Sequence, residues 1–101
     1  MTVPKHLSAE SKKIFRGLVK AYGIADEAGL RILQAALESR DRADSARKAI
    51  DADGMTITDK FGQTKSHPLL TSERDSRAAF LQGLRALNLD LEPTNSNFRG
   101  K

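Results

Sequence analysis

The chain has no cysteine and no tryptophan, and its aromatics amount to four Phe and one Tyr. The missing thiols exclude disulfides, thiolate metal ligands and cysteine nucleophiles together. No apolar run approaches the roughly 18 residues that span a bilayer. The opening MTVPKHLSAES has no apolar core of the kind a signal peptide carries. A soluble intracellular protein is expected, with no membrane partner. Hydrophobic residues are also sparse, at 39% of 101 positions. That limits the chain to one domain with a thin core. Small chains short of core recover stability by associating, so an oligomer is expected before any motif is considered.

Catalytic constellations are missing as well. There is no glycine-rich loop followed by Lys and Ser or Thr to cradle a nucleotide phosphate. His6 and His67 are the only imidazoles, and neither has a second ligand at metal-binding spacing. His67 precedes Pro68 and reads as a lead-in to a helix rather than a general base. Asp51-Ala52-Asp53-Gly54 begins like a calcium loop but lacks the later acidic ligands, so a helix terminus is the better reading. No enzyme activity, metal or cofactor is expected.

What the chain does have is an uneven charge. Residues 1–22 hold five Lys/Arg against Glu10 alone, whereas residues 23–101 hold twelve of each sign. The whole net charge of +4 therefore sits in the first fifth of the chain, which points to a polyanionic partner. Ser8 is a good N-cap there, and Gly23 supplies a stop. Between them Ile14, Phe15, Leu18, Val19 and Tyr22 fall within about 140° of helical arc. Lys12, Lys13, Arg16 and Lys20 occupy the other side. Such a face is either plainly solvated or a phosphate-binding surface without sequence preference. The absence of an acid inside the cationic arc favours DNA, with Lys5 next to it in the lead-in.

A second, long helix is expected from Asp26 as N-cap to Asp53-Gly54. Leu30, Leu33, Ala36, Leu37, Ala43, Ala46 and Ile50 form its stripe. Its middle, ESRDRADSARK, mixes both charges, with Glu38–Arg42 and Asp44–Lys48 at i,i+4 spacing. Met55 to Thr58 and Gln63 to Ser66 read as two strands around the turn residues Asp59 to Gly62. A lone hairpin is marginal in water and must lie against a helix or a neighbouring chain. Pro68 suits the first turn of a third helix. That helix carries Leu69, Leu70, Phe80, Leu81, Leu84 and Leu87, with a Glu73–Arg77 pair and Asn88 as a left-handed stop. Pro93 ends the domain, leaving 94–101 as a flexible tail in which Phe98 and Arg99 are the candidate partner contact.

The segments LSAESKKIFRGLVKAYGI, DEAGLRILQAALES, GMTITDKFGQTKSHPLL and ERDSRAAFLQGLRALNLDLEP cover about residues 4 to 93. Together they resemble the short, mainly helical small subunits of bacteriophage terminases, found in tailed phages and prophages. The run from Gly54 to Pro68, followed by Glu73-Arg74-Asp75 and Arg77, is the most specific part. Phe15 stands where the family often has Trp, and Asn88 where Gly is common; each keeps the physical role.

The resemblance implies a mainly α fold of three helices, with a short β-hairpin between the second and third, that assembles into a ring. It implies a non-catalytic packaging subunit in the host cell cytoplasm. Its partners would be double-stranded viral DNA, further copies of itself and the large subunit that supplies ATPase and nuclease. The resemblance assigns no DNA contact residue by residue; the placement of the cations points to Lys12, Lys13, Arg16 and Lys20, with Lys5 next, acting on phosphates. Assembly is assigned to Leu69, Leu70, Phe80, Leu81, Leu84 and Leu87, residues that serve a monomer core equally well. The alternatives are a helix-turn-helix transcriptional regulator and a purely structural oligomer. Asp26 and Glu27 speak against the regulator, because a recognition helix offers Arg, Asn or Gln near its start.

Overall fold

The computed structural model describes residues 2–89. Its order is α1 (Ala9–Tyr22), α2 (Glu27–Asp53), β1 (Thr56–Thr58), β2 (Thr64–Ser66) and α3 (Leu70–Ala86). This is a mainly helical chain, with three helices and an antiparallel hairpin between the second and third.

The helix ends follow from their caps. The Ser8 hydroxyl accepts from the Ser11 N–H at 3.1 Å, and α1 closes at Gly23 with φ +65°. The Asp26 carboxylate accepts from the Gly29 N–H at 2.9 Å, which starts α2. Twenty-seven residues make α2 about 40 Å long at the usual rise, and Gly54 ends it. Past α3, Asn88 adopts φ +56° and donates its N–H to the Arg85 carbonyl at 2.9 Å.

One boundary differs from expectation. Pro68 lies in a turn ahead of α3 rather than inside its first turn, and Leu69 is the N-cap. Leu69 has no side chain able to cap. His67 does this instead: its Nδ1 accepts from the Leu69 N–H at 3.1 Å.

The two other helices flank α2. Leu7 and Phe15 from the α1 side meet Leu33 and Leu37 of α2, with Phe80 and Leu87 of α3 packed against the same cluster. Further along α2, Ala43, Ala46 and Ile50 are buried. α3 runs antiparallel to α2, placing Gly83 on Ala36 and Glu73 beside Arg47. A Cβ built on Gly83 would stand 2.6 Å from that of Ala36, so this approach requires glycine.

The charged middle of α2 does not form the two i,i+4 pairs expected of it. Glu38 meets His6 at 2.6 Å and Gln34 at 3.1 Å rather than Arg42. Asp44 meets Arg40 at 3.1 Å rather than Lys48. Exposed pairs at that spacing contribute only about 0.3–0.5 kcal/mol, so another partner displaces them easily, His6 from outside the helix for Glu38 and a competing i,i+4 arginine for Asp44.

Candidate nucleic-acid interface

The cationic surface of α1 is set by how the helix is docked. Ser11 and Phe15 are buried, and they turn the opposite side outward. Lys13, Arg16 and Lys20 are exposed and Lys12 is half-buried, with Lys5 exposed in the lead-in. Among the described residues, Lys5, Lys12, Lys13 and Arg16 have no carboxylate partner. By contrast, Arg31, Arg40, Arg47, Lys65 and Arg77 each have one. Glu10, the sole acid of α1, is drawn to Arg40 of α2 at 3.2 Å. It is held there rather than by Lys12, Lys13 or Arg16, which leaves those cations of α1 without an acid.

A polar lock fixes this orientation. The Asp41 carboxylate accepts from the Ser8 N–H (2.8 Å), the Ser8 hydroxyl (2.7 Å) and the Ser11 hydroxyl (2.6 Å). Arg40 adds a bond to the Ser11 hydroxyl at 3.2 Å. Burial pushes the Asp41 carboxyl up, but the bonds from Ser11 and Ser8 outweigh it and hold the group below its ordinary value. Sequence reasoning missed this lock. The available signal was Ser11 itself, a hydroxyl in line with Phe15, Leu18 and Tyr22 on the apolar stripe. A buried hydroxyl demands a partner.

The third-helix residues divide. Phe80 and Leu87 pack on the core cluster, and Leu70 and Leu84 are half-buried. Leu69 and Leu81 are exposed, Leu81 at 52%. On α3 only Ser76 is fully buried. Phe98 and Arg99 lie outside the described residues.

Among the described residues no helix covers the hairpin: all six strand residues are exposed. In register, Thr56 faces Ser66 and Thr58 faces Thr64, so one side is entirely hydroxyl, while Ile57 and Lys65 share the other. Its turn is nevertheless tightly built. Asp59 Oδ1 accepts the N–H groups of Phe61 and Gln63, both at 2.9 Å, and Lys65 reaches Asp59 at 3.3 Å. The Gln63 N–H, then that of Phe61 and the Lys65 ammonium, hold the Asp59 carboxyl below its ordinary value. At the apex Phe61 is 76% exposed, with the Lys60 ammonium 5.2 Å from its ring centre.

His67 clasps the hairpin to both long helices. It is buried, its backbone N–H donates to the Met55 carbonyl at 2.8 Å, and its Nε2 meets Asp53 at 3.0 Å. With Nδ1 accepting from Leu69, Nε2 carries the proton toward Asp53. This is the lead-in role its place before Pro68 suggests. Among the described residues no group of three His, Cys, Asp or Glu is placed to hold a metal ion, and no helix is long and apolar enough to cross a membrane.

The chain matches the family model of the phage terminase small subunit over residues 9–94. It belongs to that family. Neither the curated proteins nor the solved structures compared give a match. Members of this family are generally non-catalytic. This terminase small subunit keeps four cations without a carboxylate partner on and just before α1. Among the described residues, the exposed large apolar ones, Met55, Ile57, Phe61, Leu69 and Leu81, lie on the hairpin side and at α3. None of those five is in α1 or α2.

Proposed function

We propose that this chain is the non-catalytic, DNA-engaging subunit of a phage packaging terminase, working in the host cytoplasm. The observation that carries the reading is the set Lys5, Lys12, Lys13 and Arg16, cations on and before α1 without carboxylate partners. Together with Lys20 on the same helix, they contact phosphates of double-stranded DNA without reading bases. An unpaired surface cation costs little to bring to a phosphate, whereas a paired one must first give up its partner.

Assembly into a ring uses the exposed apolar residues of the hairpin and α3, and the segment with Phe98 and Arg99 engages the large subunit. Within the six third-helix residues, Leu69 and Leu81 serve neighbouring copies, while Phe80 and Leu87 serve the monomer core. The regulator alternative is weaker, because α2 begins with Glu27 held by Arg31 at 3.0 Å, an acid where base contacts would be needed.

Solution mass by light scattering, followed by DNA binding across a salt series, tests both halves. A multi-subunit assembly that binds duplex DNA is expected. Replacing Lys12, Lys13, Arg16 and Lys20 with Ala should flatten the slope of log affinity against log salt by about 0.9 for each phosphate that is no longer neutralised. An unchanged slope would remove DNA from α1, and a stable dimer on a palindrome would favour the regulator.

A further inference from the structure

Two features have no occupant among the described residues, and they complement one another. The first is the hairpin apex, where Phe61 is 76% exposed on a turn fixed by four Asp59 interactions, to Phe61, Gln63, Gly62 and Lys65. A tip this ordered presents its aromatic ring without first losing conformational freedom, which is what a binding anchor requires. The second is a groove of about 340 Å³ between α2 and the start of α3, lined by Asp41, Arg42, Ser45, Ala46, Leu69 and Ser72. Its floor is Ala46 and its wall is the partly exposed Leu69.

We infer that Phe61 of one copy seats in the Ala46–Leu69 groove of the next copy, forming a repeating head-to-tail contact. The inference rests on the ring-assembly reading above and names the contact that would build it. Three observations favour a second copy as the occupant. An aromatic side chain is a natural filling for a small, apolar-floored groove, and aromatic anchors dominate protein interfaces. Charge agrees at the rim: Lys60, which has no carboxylate partner among the described residues, arrives beside Asp41, whose carboxyl is held ionised by Ser8 and Ser11. Arg42, bonded only to the Ser39 hydroxyl, stands on the rim to meet Asp59. Finally, knob and groove are different surfaces of one chain, so the contact is heterologous and repeats from copy to copy until it closes.

The hairpin tip is a poorer DNA wedge. Its one other cation, Lys65, is already paired with Asp59, and Asp51 and Asp53 stand at its base.

The absence of cysteine makes the test direct. Full-length F61C and S45C variants are co-expressed and treated with a short bis-maleimide. A covalent dimer that requires both variants is expected. F61D should bring the solution mass down to the 11.1 kDa monomer. Its helical circular dichroism should not change, because Phe61 is 76% exposed and, among the described residues, its ring meets only the Lys60 ammonium beside it. Cross-linking of F61C to itself alone would overturn the proposal in favour of a two-fold contact. An F61D chain that keeps its mass but loses DNA affinity would overturn it in favour of a DNA role for the tip. If the parent chain assembles and no mixed cross-link forms, only this contact fails. If the parent is a monomer throughout, the ring reading fails with it.

Discussion

The Ser11 hydroxyl donates to the Asp41 carboxylate at 2.6 Å, and this bond joins the buried edge of α1 to the middle of α2. With two further bonds from Ser8, it decides which side of α1 faces solvent. Asp41→Ala would leave a fully buried Ser11 with only Arg40 as partner. Hydrogen bonds to a charged group contribute about 1.5–3 kcal/mol, so a loss of about 2 kcal/mol in urea-unfolding stability is expected. Amide exchange in α1 should rise more than exchange in α3.

The same carboxylate gives the fold an acid sensitivity. The Asp41 carboxyl sits below its ordinary value of 3.8, and Glu38, bonded by Gln34 and then His6, sits below 4.5. Depressed carboxyls contribute stability that is complete above the unfolded value and is lost as pH falls through the folded one. Stability should therefore hold from neutral pH down to about 4.5 and fall below that. The Asp41→Asn chain should start less stable and show a shallower fall. Urea midpoints measured between pH 6 and 3 check both.

Gly83 faces Ala36 too closely to accept a methyl group. In an exposed helix, Gly to Ala gains about 1 kcal/mol in propensity. Here overpacking costs about 1–3 kcal/mol and should win, lowering the melting temperature of Gly83→Ala. Adding Ala36→Gly should restore part of the loss. A double-mutant cycle that shows simple additivity would mean the two positions do not meet.

The His67 side chain ties α2 to the start of α3, while its backbone N–H holds the hairpin. His67→Ala removes its bonds to Leu69 and Asp53 and opens a small void, for an expected loss of about 1–3 kcal/mol. His67→Asn retains an acceptor near the Nδ1 position and should recover the start of α3 but not the tie to Asp53. Chemical shifts of Leu69 to Ser72 separate the two variants.

Much of this structure was legible because its signals are local. Ser8, Gly23, Asp26, Gly54 and Asn88 mark helix ends by backbone and capping chemistry alone. Leu33, Ala36, Leu37, Ala43, Ala46 and Ile50 mark one stripe by period. The cationic face of α1 was visible for the same reason. What stayed hidden depends on residues far apart in the chain. Nothing local tells Glu38 to prefer His6 over Arg42, or Ser11 to seek Asp41 thirty residues away. Nor does spacing divide Phe80 from Leu81: both fit an apolar helix, and only the approach of α2 decides that one packs inward. The hairpin is legible too, but spacing leaves open whether a helix or a neighbouring chain covers it, and among the described residues no helix does.

The length of α2 has a rotational consequence as well as an axial one. Gly54 follows Asp41 by thirteen residues, which at 3.6 per turn turns the departing hairpin about 140° around α2 from the Asp41 anchor and about 20 Å along it. The two surfaces thus differ in azimuth as well as in height on one rod. Copies joined through the hairpin would then present their α1 cations at a constant angle to the contact, and the handedness of any array would be written in the residue count of a single helix.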